Sequence, residues 1–263
     1  MSDQELVRYE TQKGVARITL NDPPTNAYTP AMMRQLDDAI LEARSDAAVH
    51  VLLLCGAGQK MFCAGANIDE LRRMEPGAKD DFCLHANETL CRLEQTPKLV
   101  IAALNGHTVG GGLEVALAAD LRVAAASGGK IGLPEVKLGV LPGTGGTQRL
   151  ARLLGRSRAI EMMVQGQLLD FPQALQAGLI NRIMAPGDFL QQAMEYAMGF
   201  TPPAAASLAV GAIKRAVSEG LEMTLAGGLA LERELQARLF RTGDAREGLA
   251  ASREKRRPEF HGR

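Results

Sequence analysis

Residues 99–126 read LVIAALNGHTVGGGLEVALAADLRVAAA, and this stretch predicts how the centre of the chain folds. Its first part, 99–104, is apolar and uncharged and contains β-branched residues, a pattern typical of a strand buried on both faces. Asn105-Gly106 ends that strand with a turn signal. Three glycines, 110–112, then lead into an alanine-rich segment of good helix formers that continues to Asp120. The stretch therefore predicts a buried strand, a glycine-rich turn and a helix.

The predicted turn brings bare backbone and a carboxyl group together. Unpaired N–H groups and the helix dipole at a helix start favour an anion, or a carbonyl oxygen that gains negative charge. Glu114 lies in the first turn, separated from the glycines by the single residue Leu113. We therefore expect chemistry next to a carbonyl group. From this stretch alone an alternative stays open, in which the glycines serve close packing and Glu114 only complements the dipole.

A second stretch of the same kind lies upstream, and a long loop lies downstream. Residues 62–68 read FCAGANI and carry small residues from the end of a strand into a short helix, Ile68–Arg73. Residues 134–147 contain two prolines and four glycines, and long glycine-rich loops on an α/β frame usually line a site. Strands, turns and helices recur through the first two thirds, which predicts an α/β architecture with several short parallel strands.

Composition limits the classes of function. The chain has 263 residues, with 30 basic and 30 acidic side chains, so bulk charge favours neither nucleic acid nor an anionic membrane. No apolar run is long enough to span a membrane, and Met1–Glu5 is polar and acidic, unlike a targeting peptide, so we expect a cytoplasmic protein. The four cysteines lack the spacing of a zinc site, so we expect free thiols and no metal.

Three ordered motifs carry a family resemblance. They are FCAGAN at 62–67, the segment from Asn105 to GGGLE at 110–114, and the segment from LPE at 133–135 to PGTGGTQRL at 142–150. With these motifs the chain resembles the crotonase superfamily, specifically the enoyl-CoA hydratases, over essentially its whole length. The resemblance implies an α/β spiral of strand-strand-helix turns with a C-terminal helical trimerisation region. It implies a core with the active site at 1–201, a helical region for oligomerisation and for covering CoA at 202–263, and a homotrimer or homohexamer.

The resemblance also implies the catalytic groups. The backbone N–H groups of Ala66 and Gly111 match an oxyanion hole for the thioester carbonyl of an acyl-CoA. Glu114 and Glu135 match the two glutamates that hold the attacking water, and Gly143 matches a residue whose amide orients it. Two carboxyl groups in one apolar pocket do not both ionise readily, so one can act as base and the other as acid. We expect Glu114 to activate water and Glu135 to protonate C2.

Further residues match the family's CoA contacts. The resemblance assigns these contacts to backbone near Asn26, Ala27, Ala64, Asn67 and Ile68, and to the side chain of Lys255. Asn67 stands where many hydratases carry aspartate, so the question of whether this position gates the substrate is left open. No separate cofactor is expected, because CoA is part of the substrate.

The implied reaction is the reversible syn addition of water to a trans-2-enoyl-CoA, which gives a 3-hydroxyacyl-CoA, as in β-oxidation. Two alternatives stay open. One is a Δ3,Δ2-enoyl-CoA isomerase, which in this family can work with a carboxylate of the Glu135 type alone. The other is a non-catalytic, RNA-binding homologue, against which the zero net charge argues. The length and branching of the acyl chain are not visible in the sequence.

Overall fold

The computed structural model describes residues 4–263, so the first three residues of the polar start Met1–Glu5 lie outside the described residues. The strands are β1 Val7–Gln12, β2 Val15–Leu20, β3 Val51–Gly56, β4 Met61–Cys63, β5 Leu99–Leu104, β6 His107–Val109, β7 Leu121–Ala124, β8 Lys130–Gly132, β9 Leu169–Asp170 and β10 Arg182–Ile183. The helices are α1 Pro30–Ser45, α2 Ile68–Arg73, α3 Pro76–Glu94, α4 Gly111–Leu117, α5 Gly146–Leu154, α6 Arg156–Gln165, α7 Phe171–Gln176, α8 Phe189–Met198, α9 Ser207–Gly220, α10 Leu225–Leu239 and α11 Gly243–Glu254, with a short 3₁₀ helix at Glu135–Leu138.

The strands form two sheets, and strands β3 to β8 alternate between them. The larger sheet has the order β1-β2-β3-β5-β7-β10 and the smaller the order β4-β6-β8-β9. Only the β1–β2 and β8–β9 pairs are antiparallel among the described strands. Each of the pairs β3-β4, β5-β6 and β7-β8 sends one strand to the larger sheet and the next to the smaller before a helix follows. The predicted spiral of strand-strand-helix turns is confirmed.

The larger sheet is buried on both faces. On β3, Leu52 and Leu54 belong to the main core, whereas Leu53 belongs to a second core on the opposite face. Ile101 of β5 belongs to that second core, which α8 covers with Ala193 and Met194. Alternate residues of a strand point to opposite faces, so a strand covered on both sides has an unbroken apolar sequence. The prediction of a doubly buried central strand is confirmed.

Helix α4 is shorter than its alanine-rich sequence predicts and ends at Leu117 instead of continuing to Asp120. The Asp120 N–H donates to the Val100 carbonyl at 2.9 Å, and its carboxylate accepts the Val100 N–H at 2.7 Å. The Arg122 side chain donates to the carbonyls of Ala116 at 3.3 Å and Ala119 at 2.8 Å. Tertiary hydrogen bonds therefore take over the groups that another helical turn would have used.

The C-terminal helices are attached to the sheet by a buried ion pair. Lys214 of α9 lies 2.9 Å from the Asp120 carboxylate and donates to the Lys98 carbonyl at 3.1 Å. Within residues 4–263, no helix has the length and apolar character needed to cross a membrane. All four cysteines are free, as predicted.

Candidate active site

Three strand ends of the smaller sheet meet at one edge. β4, β6 and β8 are parallel neighbours, so their carboxyl ends point the same way. The residues that follow them are 64–67, 110–114 and 133–135, which hold the predicted site residues. The Gly110 N–H donates to the Gly132 carbonyl at 2.9 Å, which joins two of these segments. The third is equally close, because a Cβ on Gly65 would lie 2.8 Å from the Gly111 nitrogen.

Two backbone amides at this edge are available to a ligand. Gly65 and Gly110 have φ angles of +95° and +58°, a conformation that favours glycine, and each turns the chain just before a predicted oxyanion residue. Among the hydrogen bonds of residues 4–263, neither the Ala66 N–H nor the Gly111 N–H donates to a protein acceptor. Gly111 begins α4, where N–H groups have no helical partner. The predicted pair of amides therefore lies side by side with both donors free.

The Glu114 carboxyl group is buried and held by three donors. Only 2% of the residue is exposed. Its Oε1 accepts the backbone N–H groups of Thr144 at 2.8 Å and Gly146 at 2.7 Å, and its Oε2 accepts the Thr144 hydroxyl. An ionised carboxylate is an acceptor only, so a set of donors with no acceptor suits the ionised form. The glycine-rich loop predicted to line a site therefore supplies the groups that orient Glu114.

Glu135 is held quite differently. It begins the 3₁₀ helix after β8, is half-buried, and its Oε1 lies 3.1 Å from where a Cβ on Gly110 would stand. Its Oε2 is buried and has no hydrogen-bond partner among the described residues. Burial raises the pKa of Glu135 to about 7, and the negative charge of Glu114 adds to the increase. Glu135 is thus set up to carry a proton near neutral pH, whereas the donors around Glu114 leave that carboxyl group the role of an acceptor.

The other predicted site residues lie around this edge in various ways. Gly143 is in the exposed loop before α5, and its carbonyl accepts the Asn87 side chain at 2.8 Å. Asn26 is fully buried, and its side-chain nitrogen donates to the carbonyls of Ala57 and Met61, both at 3.0 Å. The side chain of Asn26 therefore shapes the loop, and only its backbone is left for the predicted CoA contact.

The remaining predicted CoA contacts fall into two groups. Ala64, Asn67 and Ile68 follow β4: the Ala64 N–H donates to the Thr25 carbonyl at 3.0 Å, Asn67 caps α2, and the Ile68 side chain is exposed. Ala27 follows Asn26 in the chain and is also buried. Lys255 is exposed at the end of α11, with a φ of +55°. The contact of these residues with CoA stays a prediction.

Nearly the whole chain matches one protein family. The model of the Enoyl-CoA hydratase/isomerase family matches residues 10–263. The chain belongs to the enoyl-CoA hydratase/isomerase family. The fold is the crotonase fold, and proteins of this superfamily are enzymes that act on acyl-CoA thioesters.

Relatives and solved structures agree over nearly their full lengths. The short-chain-enoyl-CoA hydratase of Clostridium acetobutylicum is 37% identical, over 95% of this chain and 95% of that protein. The 2,3-dehydroadipyl-CoA hydratase of Escherichia coli is 38% identical, over 96% of this chain and 97% of that protein. The crystal structure of an enoyl-CoA hydratase from Geobacillus kaustophilus superimposes with a TM-score of 0.95 at 43% identity, covering 100% of this chain and 98% of that one.

Two residues of this family member contact the site without having been predicted. Thr144 supplies two of the three donors to Glu114, and the hydroxyl of Tyr28 lies 3.5 Å from the Thr144 hydroxyl. Thr144 does carry a signal, because it is the one hydroxyl residue between the glycines of residues 143–146. Tyr28 carries none, since it lies 116 positions away from Thr144 in the chain.

Proposed function

We propose that the protein is an enoyl-CoA hydratase that adds water across the 2,3 double bond of a trans-2-enoyl-CoA to give a 3-hydroxyacyl-CoA. The observation that supports this best is the pair of unlike carboxyl groups beside two free amides. Glu114 is surrounded by donors, whereas the pKa of Glu135 is raised by burial to about 7. Hydration needs a proton acceptor and a proton donor on the same face of the double bond, and these two groups meet that need.

The amides of Ala66 and Gly111 bind the thioester carbonyl in this mechanism. Negative charge grows on that oxygen as water adds at C3 and an enolate forms. Donors that are fixed in advance stabilise the enolate-like transition state more than the substrate. Loss of one such donor raises the barrier by about 3–4 kcal/mol in other enzymes.

The two glutamates then move the protons. As the water oxygen bonds to C3, its proton passes to Glu114, and the electron pair of the double bond takes the proton of Glu135 at C2. Glu114 ends protonated and Glu135 ionised, so one proton returns through solvent before the next turnover. CoA is part of the substrate, and we propose no further cofactor.

The wider setting follows the family. We propose that backbone near Asn26 and Ala64 together with the side chain of Lys255 holds CoA, and that Gly143 helps to orient the water. We further propose a cytoplasmic homotrimer or dimer of trimers with no nucleic-acid partner. A Lys255→Ala variant should then raise KM for the thioester and leave kcat unchanged, because only uniform binding is lost.

Hydration is tested directly with crotonyl-CoA. The purified protein should remove the ultraviolet absorbance of the conjugated thioester and form the 3-hydroxy product. A panel of short, long, branched and dicarboxylic enoyl-CoA substrates, ranked by kcat/KM, should then identify the acyl group. If no member of the panel is hydrated while a saturated acyl-CoA still binds, the proposal is wrong.

Isomerisation is a second candidate, since the Glu135 carboxylate in its ionised form could by itself take a proton from C2 of a 3-enoyl-CoA and return it at C4. Glu114→Gln separates the two reactions. A hydratase should lose at least about 100-fold in kcat, because the base is gone. An isomerase should convert a 3-enoyl-CoA at nearly the rate of the unaltered protein. Glu161→Gln, which changes an exposed glutamate of α6, is the matched control.

A further inference from the structure

The backbone of Tyr28 holds the segment that carries one of the two amides. Its N–H donates to the Gly65 carbonyl at 2.8 Å, and its carbonyl accepts the Asn67 N–H at 2.9 Å. These hydrogen bonds form a parallel bridge between Tyr28 and Ala66. The Ala66 N–H is the group that they leave free, so Tyr28 fixes the position of this amide.

The ring of Tyr28 lies against the second amide. The residue is 3% exposed, and a Cβ on Gly111 would stand 2.0 Å from its hydroxyl oxygen. Phe82 of α3 contacts the ring edge to face, with the centroids 5.9 Å apart. The hydroxyl group therefore has a fixed place directly beneath the start of α4.

The Tyr28 hydroxyl is connected to the Glu114 carboxylate through the Thr144 hydroxyl. Thr144 has one hydroxyl hydrogen and donates it to Glu114, so it can only accept from Tyr28, whose oxygen lies 3.5 Å away. The donors thus run in one direction, from Tyr28 to Thr144 to the carboxylate. This direction is consistent with an ionised Glu114, which cannot donate in return.

We propose that Tyr28 and Thr144 are positioning residues, which hold the Glu114 carboxylate in a set orientation relative to the amides of Ala66 and Gly111. Tyr28 contacts both amide segments and the hydroxyl that binds Glu114. Small displacements of a base relative to the bound substrate reduce turnover strongly. The catalytic purpose of this orientation rests on the proposed hydration. The orientation itself can be tested whether or not the protein is a hydratase.

Hydroxyl removal tests the chain of hydrogen bonds. Thr144→Val keeps the shape and the backbone donor, and should lower kcat about 10-fold with little change in KM. Tyr28→Phe should lower kcat roughly 3-fold. Because both residues act through one chain of hydrogen bonds, their effects should not multiply. The kcat of the double variant should be at most about 2-fold lower than that of Thr144→Val. Thr144→Ser keeps the hydroxyl and should restore most of the rate.

Two matched controls remove hydroxyl groups of the same kind elsewhere. The Tyr9 and Thr89 hydroxyl groups are buried and have no hydrogen-bond partner among the described residues. Tyr9→Phe and Thr89→Val should therefore leave kcat unchanged. Unchanged kcat in both Tyr28→Phe and Thr144→Val, or multiplicative losses in the double variant, would overturn the inference.

A crystal structure of Thr144→Val beside that of the unaltered protein separates this inference from the proposed function. We expect the Glu114 carboxyl group to rotate or to occupy more than one position in the variant. An unmoved, well-ordered Glu114 overturns the inference even if the protein is a hydratase. A displaced Glu114 supports the inference even if hydration is not found. Should Thr144→Val fail to fold, Tyr28→Phe, which lacks a single oxygen, decides by the same comparison.

Discussion

The Glu114 carboxylate accepts the backbone N–H of Gly146 at 2.7 Å, across 32 positions of sequence. Gly146 begins α5, so the carboxylate occupies the start of a second helix as well as belonging to the first turn of α4. A negative charge at a helix start is favoured by the unpaired N–H groups there. This contact joins the two glycine-rich segments that stand out in the sequence.

Gly146→Ala should disable the site without unfolding the protein. The added Cβ would stand 2.9 Å from the Glu114 Oε1, and as close to Leu133 and Pro142, so the carboxylate must move. We expect kcat for hydration to fall by about 100-fold. Gly77→Ala is the matched control, because it adds the same methyl group near the start of α3 with no atom within 4 Å. Equal rates in the two variants would contradict this prediction.

The activity should depend on pH through Glu135. Its pKa is raised to about 7 by burial and by the charge of Glu114, and the proposed mechanism needs its protonated form. We therefore expect kcat/KM for hydration to decline as the pH rises above about 7. Stopped-flow rates between pH 5 and pH 9, at constant ionic strength, measure this profile. A rate that rises through neutral pH would mean that Glu135 works as a base.

Glu135 should also cost stability at high pH. Its pKa is about 7 in the folded protein and close to the ordinary 4.5 in the unfolded chain. The unfolded chain releases this proton first, so the free energy of unfolding decreases as the pH rises from about 4.5 to 7. Glu135→Gln removes that penalty. Its Tm should match that of the unaltered protein at pH 4.5 and exceed it by a few degrees at pH 8. A difference that does not change with pH would contradict the prediction.

The ion pair between Lys214 and Asp120 should matter for stability more than any exposed pair on α9. Lys214→Met leaves the Asp120 carboxylate buried without its partner, which typically costs about 3–5 kcal/mol in the free energy of unfolding. Adding Asp120→Asn should recover part of the loss. Arg215→Ala breaks the exposed pair with Glu219 on the same helix and should cost at most about 1 kcal/mol. Urea unfolding at one protein concentration compares the variants.

Elements with strong local signals were predicted from the sequence. The strand Leu99–Leu104 and the helix Ile68–Arg73 have the predicted bounds, since a continuous apolar run marks the first and the Asn67 cap starts the second. The glycine turns also form where expected. These elements depend on residues that are neighbours in the sequence, so the pattern of the sequence is sufficient to predict them.

Two short strands of the smaller sheet, β4 and β6, were not predicted. β4 and β6 have three residues each, and they are strands because they pair with each other and not because of their own sequences. The roles of Thr144 and Tyr28 are equally invisible, since each depends on a contact with a residue far away in the chain. A sequence pattern reports local preference, whereas these features arise only when distant segments are packed together.

The two sheets have different roles, and this difference has a practical consequence for engineering. The six-stranded sheet supplies the frame, while the two free amides and the two candidate glutamates follow β4, β6 or β8 of the four-stranded sheet. Replacing a few positions after those strands should therefore redirect the chemistry and leave the frame intact. The segments that follow these three strands could therefore be exchanged while the larger sheet is kept unchanged.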